Sequence, residues 1–493
     1  MNPTPPFIEL SNGGCVSWSG LPAASAGGLA EATAAELARG GRLCAWFGVP
    51  EAAGVRLVAV VAHDADNVLL AGRSAPAGQG YPALTTTYSQ AHLFEREVWE
   101  QHGLVPEGHP WLKPVRREPG AGPAPMEFFR VAGPEVHEVA VGPVHAGIIE
   151  PGHFRFQCAG EEVLHLEIAL GYQHRGIEAA LAGGPHRATL QQMETAAGDT
   201  TIAHATAYAS VLEALGGEEA PLRAQWLRAL ALELERLANH TGDLGALAGD
   251  VAFLPTAAAC GKIRGDWLNL TALLCGNRFG RTLVRPGGCR YDLDPARAER
   301  LAAGVRRALD DTLRATGWLW DALSVRERLD GLGVVSSEQA EELGLVGLAA
   351  RASGLVRDVR YDHPAGWHRF AQMPVAMWPE GDVFSRARIR WLEIQRSSAF
   401  ILEQLAGAPD GPVQAPPAAP APDALAVALV EGWRGEVCHV AITGPDGRLV
   451  RYKLVDPSFH NWMGLALAMR GQAVSDFPIC NKSFNLSYCG FDL

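Results

Sequence analysis

Residues 194–216 read Glu-Thr-Ala-Ala-Gly-Asp-Thr-Thr-Ile-Ala-His-Ala-Thr-Ala-Tyr-Ala-Ser-Val-Leu-Glu-Ala-Leu-Gly. This stretch lies near the start of a region, from about residue 170 to about residue 405, whose sequence is mostly helical in character. The helical patterns that follow this stretch predict how that region folds.

Two long amphipathic helices are predicted downstream. The first covers residues 221–240, and one face carries Leu222, Trp226, Leu230, Leu234 and Leu237. The second begins with Asp294 as its N-cap and Pro295 in the first helical position. Its apolar stripe, with a spacing of four residues, consists of Leu301, Val305, Leu309 and Leu313. Helices this long and this apolar on one side predict a bundle with a deeply buried centre.

A small α+β unit is predicted before this region, over residues 1 to about 125. Residues 55–63, Val-Arg-Leu-Val-Ala-Val-Val-Ala-His, form a buried strand, and residues 68–71 form its partner after an Asp-Ala-Asp-Asn turn. A helix is expected over roughly residues 90–102. The sequence then turns through a loop rich in Gly and Pro.

The C-terminal region contains three further features. Residues 407–424 are a Pro/Ala-rich loop. Residues 437–443 and 449–454 flank a Gly-Pro-Asp-Gly turn and predict a β-hairpin. The tail, residues 475–493, is too apolar for a disordered end, so we expect it to pack into the bundle.

Composition and charge exclude several classes of protein. The chain has 493 residues, 48% hydrophobic and 19% charged, an ordinary globular balance. A net charge of −12 argues against nucleic acid as a partner. The nine cysteines include no Cys-x-x-Cys, so zinc-ribbon, ferredoxin-type and thioredoxin motifs are unsupported. Neither a signal peptide nor a membrane-spanning run is expected.

Two motifs in the N-terminal unit resemble a known family. Residues 94–103, Phe-Glu-Arg-Glu-Val-Trp-Glu-Gln-His-Gly, and residues 108–114, Gly-His-Pro-Trp-Leu-Lys-Pro, are similar to the signature of the small peripheral-arm subunit of respiratory complex I. The alternative interpretation of these motifs alone is an amphipathic surface helix followed by a loop.

Seven further motifs follow in one collinear set. They resemble the large subunit of membrane-bound, energy-converting nickel–iron hydrogenases of the formate hydrogenlyase type, and the homologous quinone-site subunit of complex I shares much of the set. The motifs are Gly142-Pro-Val-His145, Glu150-Pro-Gly-His-Phe154, Tyr172-x-His-Arg-Gly-Ile-Glu178, Pro221-Leu-Arg-Ala-Gln225, Glu233 to His240, Arg285-Pro-Gly-Gly288 and Asp456-Pro-Ser-Phe459.

The resemblance implies an α+β fold in two parts. A small N-terminal α/β domain, residues 1–130, would be followed by a large, mainly helical bundle domain with peripheral β-hairpins, residues 135–493. The Pro/Ala-rich loop at 407–424 would interrupt the second domain.

In such hydrogenases four cysteine thiolates hold the metals, two near the start of the bundle and two near the C-terminus. The matching positions in this chain are Ala197, Thr200, Ser487 and Gly490. Ala and Gly have no side-chain donor, and a hydroxyl is a poor ligand for a soft metal. We therefore expect no nickel–iron centre and no other metal in this chain, and we expect the C-terminus to stay unprocessed.

The complex I alternative implies a quinone, held in that family by a His and a Tyr. The matching positions are Ile149 and Gly198, so this pair of hydrogen-bond donors is missing as well. A different mode of quinone binding would use side chains in the same segments. The candidates for such a cavity are His145, His153, His204 and Tyr208.

An acid–base set remains around the expected cavity. Glu150 matches the hydrogenase glutamate that takes protons from the metal, and His174, Arg175 and Glu178 match the motif beneath the cavity. Burial of these groups would suit a proton relay. The alternative is a structural ion pair, such as Arg175 with Glu178. Further polar candidates are Asp199, His204, Glu233, His240, Asp382 and Arg386.

These expectations define a function. The chain would be the hydrogenase-related large subunit of a complex I-like oxidoreductase that couples electron transfer to ion translocation. Its partners would be an iron–sulfur small subunit, which carries the cluster, and antiporter-like membrane subunits. It would lie peripherally on the cytoplasmic side of the inner membrane. Quinone reduction and an active nickel–iron hydrogenase are the alternatives.

Overall fold

The computed structural model describes residues 5–116, 127–145, 147 and 149–493, so Ala146 and Ile148 lie outside the described residues.

The N-terminal part of the chain is built around one sheet. The strands of this part are β1 Ile8–Leu10, β2 Gly14–Ser17, β3 Ala23–Ala24, β4 Arg42–Glu51, β5 Gly54–His63, β6 Val68–Ser74, β7 Gly80–Pro82 and β8 Val105–Glu107. The sheet has the strand order β1-β6-β5-β4, with β3 parallel to β6.

The predicted strand pair at residues 55–71 is confirmed as β5 and β6, which pair antiparallel across Asn67 in a left-handed conformation. Two helices complete this part, α1 Ala26–Ala38 and α2 His92–His102. The predicted helix at residues 90–102 begins two residues late, because Ser89–Ala91 forms a separate 3-10 turn.

A three-stranded antiparallel sheet then leads into the helical region. Its strands are β9 Val136–Val141, β10 His153–Ala159 and β11 Glu162–Ala169. The helices that follow are α3 Ile177–Ala180, α4 Thr189–Met193, α5 Thr201–Gly216, α6 Leu222–Asp250, α7 Leu254–Cys275, α8 Pro295–Asp321, α9 Leu323–Leu329, α10 Ser337–Glu342, α11 Gly347–Ala352, α12 Val359–Asp362 and α13 Val383–Ala406. A short hairpin, β12 Val284–Arg285 with β13 Gly288–Cys289, separates α7 from α8.

The predicted bundle is present, with α6 packed against α7 and α13, and α8 against α7 and α13. The helix that starts at residue 222 continues ten residues beyond the predicted end at His240. In this added part, Asp243 is buried and pairs with Arg390 at 2.8 Å. The predicted cap of α8 is also present, because the Asp294 side chain accepts a hydrogen bond from the Arg297 amide.

A four-stranded sheet lies behind α5. The predicted hairpin is confirmed as β15 Glu436–Thr443 with β16 Leu449–Val455, and β14 Ala424–Glu431 joins it. The fourth strand is β2, from the N-terminal part of the chain, which pairs antiparallel with β14. β15 is buried along its whole length, so this sheet belongs to the interior.

The two ends of the chain are joined by one continuous apolar core and by buried ion pairs. Arg42 of β4 donates two hydrogen bonds of 2.8 Å to Glu436 of β15, and Lys453 lies 2.6 Å from Glu97. The final helices are α14 Pro457–Ala468, α15 Phe477–Phe484 and α16 Tyr488–Phe491. Among the described residues, no helix has both the length and the apolar character needed to cross a membrane.

Candidate functional site

The C-terminal tail folds back into the protein, as its apolar sequence predicts. Ser487 caps the short helix α16, because its hydroxyl accepts a hydrogen bond from the Gly490 amide at 2.9 Å. The Ser487 amide donates to the Ser458 hydroxyl at 2.8 Å. The last residue, Leu493, is 1% exposed. The tail is therefore held by both hydrogen bonds and apolar burial.

The tail meets the segment that precedes α5, so the structure brings together the two segments that carry Ala197, Thr200, Ser487 and Gly490. Arg175 joins them, since its Nη2 donates to the Ala196 carbonyl at 2.7 Å and to the Cys489 carbonyl at 3.2 Å. The Gly198 backbone also hydrogen-bonds the Cys489 thiol. One edge of this site is open, because Gly198 is exposed and a β-carbon there would meet no atom within 4 Å.

Cys489 places a thiol at the site beside the carboxylate of Glu150. Its sulfur lies 3.4 Å from the Ser487 hydroxyl, and Glu150 also accepts a hydrogen bond from the Tyr488 amide at 3.2 Å. Burial, followed by the negative charge of Glu150, raises the pKa of Cys489 to about 11. The thiol therefore stays protonated at neutral pH.

Asp456 occupies the space beside Gly490. A β-carbon on residue 490 would lie 2.7 Å from the carboxyl carbon of Asp456 and 2.9 Å from its Oδ2. The same carboxylate, fully buried, accepts a hydrogen bond from the Ser458 amide at 2.8 Å as the N-cap of α14. Any side chain at residue 490 would have to displace it.

A hydrogen-bonded row of buried side chains, the buried file, runs from Asp456 through His204 and His439 to Tyr452 in the C-terminal sheet. Oδ2 of Asp456 lies 3.1 Å from Nε2 of His204, and Nδ1 of His204 lies 3.1 Å from Nε2 of His439. Nδ1 of His439 lies 2.8 Å from the Tyr452 hydroxyl. Each of the four residues is at most 1% exposed.

The four predicted relay residues divide into two places. Glu150 and Arg175 lie at the site, and Nδ1 of His174 lies 3.3 Å from the Asp492 carbonyl of the tail. Glu178 instead faces the N-terminal part, where it lies 3.0 Å from Lys453 and 3.1 Å from Arg451. Arg175 and Glu178 do not pair with each other, since Arg175 bonds backbone carbonyls. Glu178 forms structural ion pairs with other cations, as the alternative interpretation expects of such groups.

The four residues predicted to line a quinone cavity do not direct free hydrogen-bond donors into one common space. His145 lies in the loop before β10, and one of its ring nitrogens bonds the Gly152 carbonyl. His153 is the first residue of β10, and one of its ring nitrogens bonds the Gly142 carbonyl. Both ring nitrogens of His204 are occupied, and the buried Tyr208 hydroxyl bonds Thr189.

The further polar candidates are spread along the bundle. Asp199 lies near the site and pairs with Arg434. Glu233 and His240 belong to a separate buried network with Arg236, Arg360 and Glu393. Asp382 caps α13, and Arg386 donates to the Ser483 hydroxyl at 2.8 Å beneath the tail. Within the described ranges, no three His, Cys, Asp or Glu side chains are grouped so as to hold a metal ion.

Sequence reasoning missed His439, Tyr452 and the site role of Asp456. Asp456 followed by Pro457 is a helix-start signal, which predicts the cap and says nothing about Gly490. His439 and Tyr452 sit in apolar strands, where a single polar residue indicates no partner. Their contacts are made across the sheet and to α5.

Comparison with protein families identifies the two parts of the chain. The respiratory-chain NADH dehydrogenase 49 kDa subunit family matches residues 250–424, and the 30 kDa subunit family matches residues 45–127. The solved membrane-bound sulfane sulfur reductase, an archaeal respiratory membrane complex, contains a chain with a TM-score of 0.67 to this fold. That likeness has 23% identity and covers 73% of this chain and 99% of the other.

Three relatives show the same relationship. Formate hydrogenlyase subunit 5 of Escherichia coli is 31% identical over 438 residues, with 83% of this chain and 76% of the relative covered. A carbon monoxide-induced hydrogenase of Rhodospirillum rubrum is 32% identical, covering 71% and 97%. NADH-quinone oxidoreductase subunit 4 of Thermus thermophilus is 29% identical, covering 72% and 93%. The chain therefore belongs to the family of large subunits of membrane-bound hydrogenases and complex I-like NADH–quinone oxidoreductases, with 30 kDa-like and 49 kDa-like parts fused in one polypeptide.

Proposed function

We propose that this chain is the large subunit of a membrane-associated, complex I-like oxidoreductase that couples electron transfer to ion translocation without a nickel–iron centre of its own. The observation that carries the proposal is that the fold brings together the segments of Ala197, Thr200, Ser487 and Gly490, positions that hold no thiol. Ala and Gly offer no side-chain donor, and a hydroxyl is a poor ligand for a soft metal. Cys489 adds one thiol beside them, and one thiolate cannot bridge and terminate a binuclear centre.

Elemental analysis of the anaerobically purified native complex tests this proposal. We expect nickel far below one atom per chain. As a matched control, a hydrogenase large subunit that carries the four cysteines is purified by the same protocol and should retain nickel. Stoichiometric nickel in the complex of this chain would refute the proposal.

An iron–sulfur small subunit and antiporter-like membrane subunits are the partners in this proposal, and the chain would lie on the cytoplasmic face of the membrane. The open edge of the site supports a partner there, because exposed apolar side chains flank it. Val144 is 75% exposed, Ile149 48% and Tyr172 49%. An apolar surface at this edge would suit contact with another protein.

Site-specific photocrosslinking tests this placement. A photoreactive residue at Ile149 should capture an iron–sulfur protein in native membranes, whereas one at Lys262, 70% exposed on α7, should not. Capture of the iron–sulfur protein from position 262 alone would overturn the placement.

Quinone reduction is the second candidate. It is favoured by the free space at Gly198, next to the Glu150–Cys489 pair. Photolabelling with a quinone analogue should then modify residues 142–154 or 194–208, with competition by excess quinone. Labelling confined to other segments would exclude this candidate.

A further inference from the structure

The hydrogen positions in the buried file follow from its geometry when His204 is neutral. Asp456 is ionised and only accepts, so Nε2 of His204 carries a hydrogen. Nδ1 of His204 then accepts from Nε2 of His439. Nδ1 of His439 in turn accepts from the Tyr452 hydroxyl. All three contacts are hydrogen bonds in this state.

The same three contacts remain hydrogen bonds after His204 gains a proton. The hydrogen on Nε2 of His439 moves to Nδ1 of His204, which becomes doubly protonated. The added proton ends on Nδ1 of His439, which now donates to the Tyr452 oxygen. A hydroxyl both donates and accepts, so Tyr452 serves either state. The net change is one proton, held as an imidazolium on His204 against the carboxylate of Asp456.

The surrounding charges favour this division of roles. Burial alone would raise the pKa of Asp456, but His204 and Arg434 outweigh it and keep the carboxylate ionised. Burial, together with His204, lowers the pKa of His439 well below its usual range. His439 therefore stays neutral and changes only its tautomer. The other titratable groups nearby are His460 of α14, which senses Asp456, and Asp199, which pairs with Arg434.

The space beside Gly490 lies between this file and the open edge of the site. Asp456 Oδ2 and the Ser487 hydroxyl each lie 2.9 Å from the point where a β-carbon of residue 490 would stand. The Ser487 hydroxyl lies 3.4 Å from the Cys489 sulfur, which hydrogen-bonds the half-buried Glu150.

We propose that the His204–Asp456 pair is a buried proton-accepting site beneath the open edge. His439 and Tyr452 act as positioning residues that let the pair change its proton content while the three contacts remain hydrogen bonds. This inference rests on the proposed function and deepens its proton-handling role. It adds His439 and Tyr452, which no sequence motif indicated, to His204 and Asp456.

The test is nitrogen NMR of the full chain with ring-labelled histidine, between about pH 5 and pH 8. The 16 histidines are assigned by single substitutions, including His204→Gln and His439→Gln. We expect Nδ1 of His204 to become protonated as the pH falls. In the same step, His439 should change from the Nε2–H to the Nδ1–H tautomer with no change of charge.

Three variants sharpen the test. Asp456→Asn keeps a hydrogen-bond acceptor but removes the charge. Half-protonation of His204 should then require a proton concentration at least about tenfold higher than in the wild type. Tyr452→Phe removes the acceptor for Nδ1 of His439, so the change of tautomer should be lost. His368→Asn, at a buried histidine that stacks on Phe400 outside the file, should leave both signals unchanged.

A wild-type His439 that keeps one tautomer while His204 titrates would overturn the proposal. So would a His204 that never changes its protonation over the whole range. Both outcomes are read on the wild-type chain, so the folding of a variant does not decide them. The measurement needs no redox partner, and a negative result would leave the proposed function standing. Nickel in the native complex would refute that function without changing the titration.

Discussion

The carboxyl carbon of Asp456 lies 2.7 Å from the point where a β-carbon on Gly490 would stand. Non-bonded carbon atoms are in favourable contact only at about 3.5–4.0 Å, so the two groups cannot coexist without movement. Asp456 is held by His204 and by the Ser458 amide, which resist such movement. The tail and the start of α14 are therefore packed around a glycine, and a larger residue at position 490 requires the Asp456 carboxylate to move.

Asp456 should hinder a metal site that is rebuilt by restoring the four cysteines. We expect Ala197→Cys, Thr200→Cys, Ser487→Cys and Gly490→Cys together to bind less nickel than the same variant without Asp456, because Gly490→Cys must displace the carboxylate. Adding Asp456→Ala should raise the nickel content severalfold. Elemental analysis after expression with nickel maturation proteins measures both. Equal nickel with and without Asp456 would show that the carboxylate is not the obstacle.

The Cys489 thiol should be unreactive near neutral pH. Its pKa is raised to about 11 by burial and by Glu150, and only the thiolate is nucleophilic. Removing the charge with Glu150→Gln should lower this pKa and speed modification by methyl methanethiosulfonate severalfold at about pH 8. Mass spectrometry reads the sites, and the exposed Cys15 is the internal control. An unchanged rate at Cys489 alongside normal labelling of Cys15 would contradict this account.

Two glutamates of α6 should respond to pH in opposite ways. Burial, with a smaller contribution from Asp199, raises the pKa of Glu235 to about 8. In the folded protein Glu235 keeps its proton up to about pH 8, whereas in the unfolded chain it loses the proton above about pH 4.3. Between these pH values Glu235 therefore lowers the free energy of unfolding as the pH rises. Glu235→Gln still accepts from the Ile202 amide, 2.7 Å away in the wild type. We expect it to stabilise the protein by at least about 1 kcal/mol at about pH 8, with a smaller gain at about pH 5.

Glu233 is the matched control. Burial alone would raise its pKa, but Arg236 and Arg360 outweigh it and lower the pKa to about 2. Its stabilising effect is present above the unfolded pKa and is lost as the pH falls toward 2. Glu233→Gln should cost about 3–5 kcal/mol near pH 7 and less in acid. Denaturant titrations across the pH range measure both variants, and parallel pH dependences would refute the assignment.

The tail should hold the segment that carries His174. The buried Asp492 carboxylate accepts hydrogen bonds from the Gly171 amide at 2.8 Å and the Gln173 amide at 2.9 Å. Asp492→Ala should therefore speed hydrogen exchange of residues 171–174 by about tenfold or more. Asp446→Ala removes an exposed carboxylate that caps the Arg448 amide and should leave this segment unchanged. No change in the Asp492 variant would show that other contacts hold the segment.

The sequence by itself determined the elements and the family. Its strand pair at residues 55–71, the cap at Asp294 and the hairpin at residues 437–454 are local features, set by turn chemistry and side-chain periodicity over a few residues. The absence of thiols at Ala197, Thr200, Ser487 and Gly490 is likewise a property of the chain alone. The division into residues 1–130 and 135–493 remains a prediction.

Only the tertiary structure decided what surrounds those positions. β2 joins the sheet of β14–β16 from the far end of the chain, and the α6 helix continues past His240 because Arg390 of another helix pairs with Asp243. Asp456, His439 and Tyr452 acquired their roles in the same way. Contacts between residues distant in sequence depend on which faces the packed core buries together, and no local pattern records them. The packing brought a carboxylate beside Gly490 and two histidines behind it.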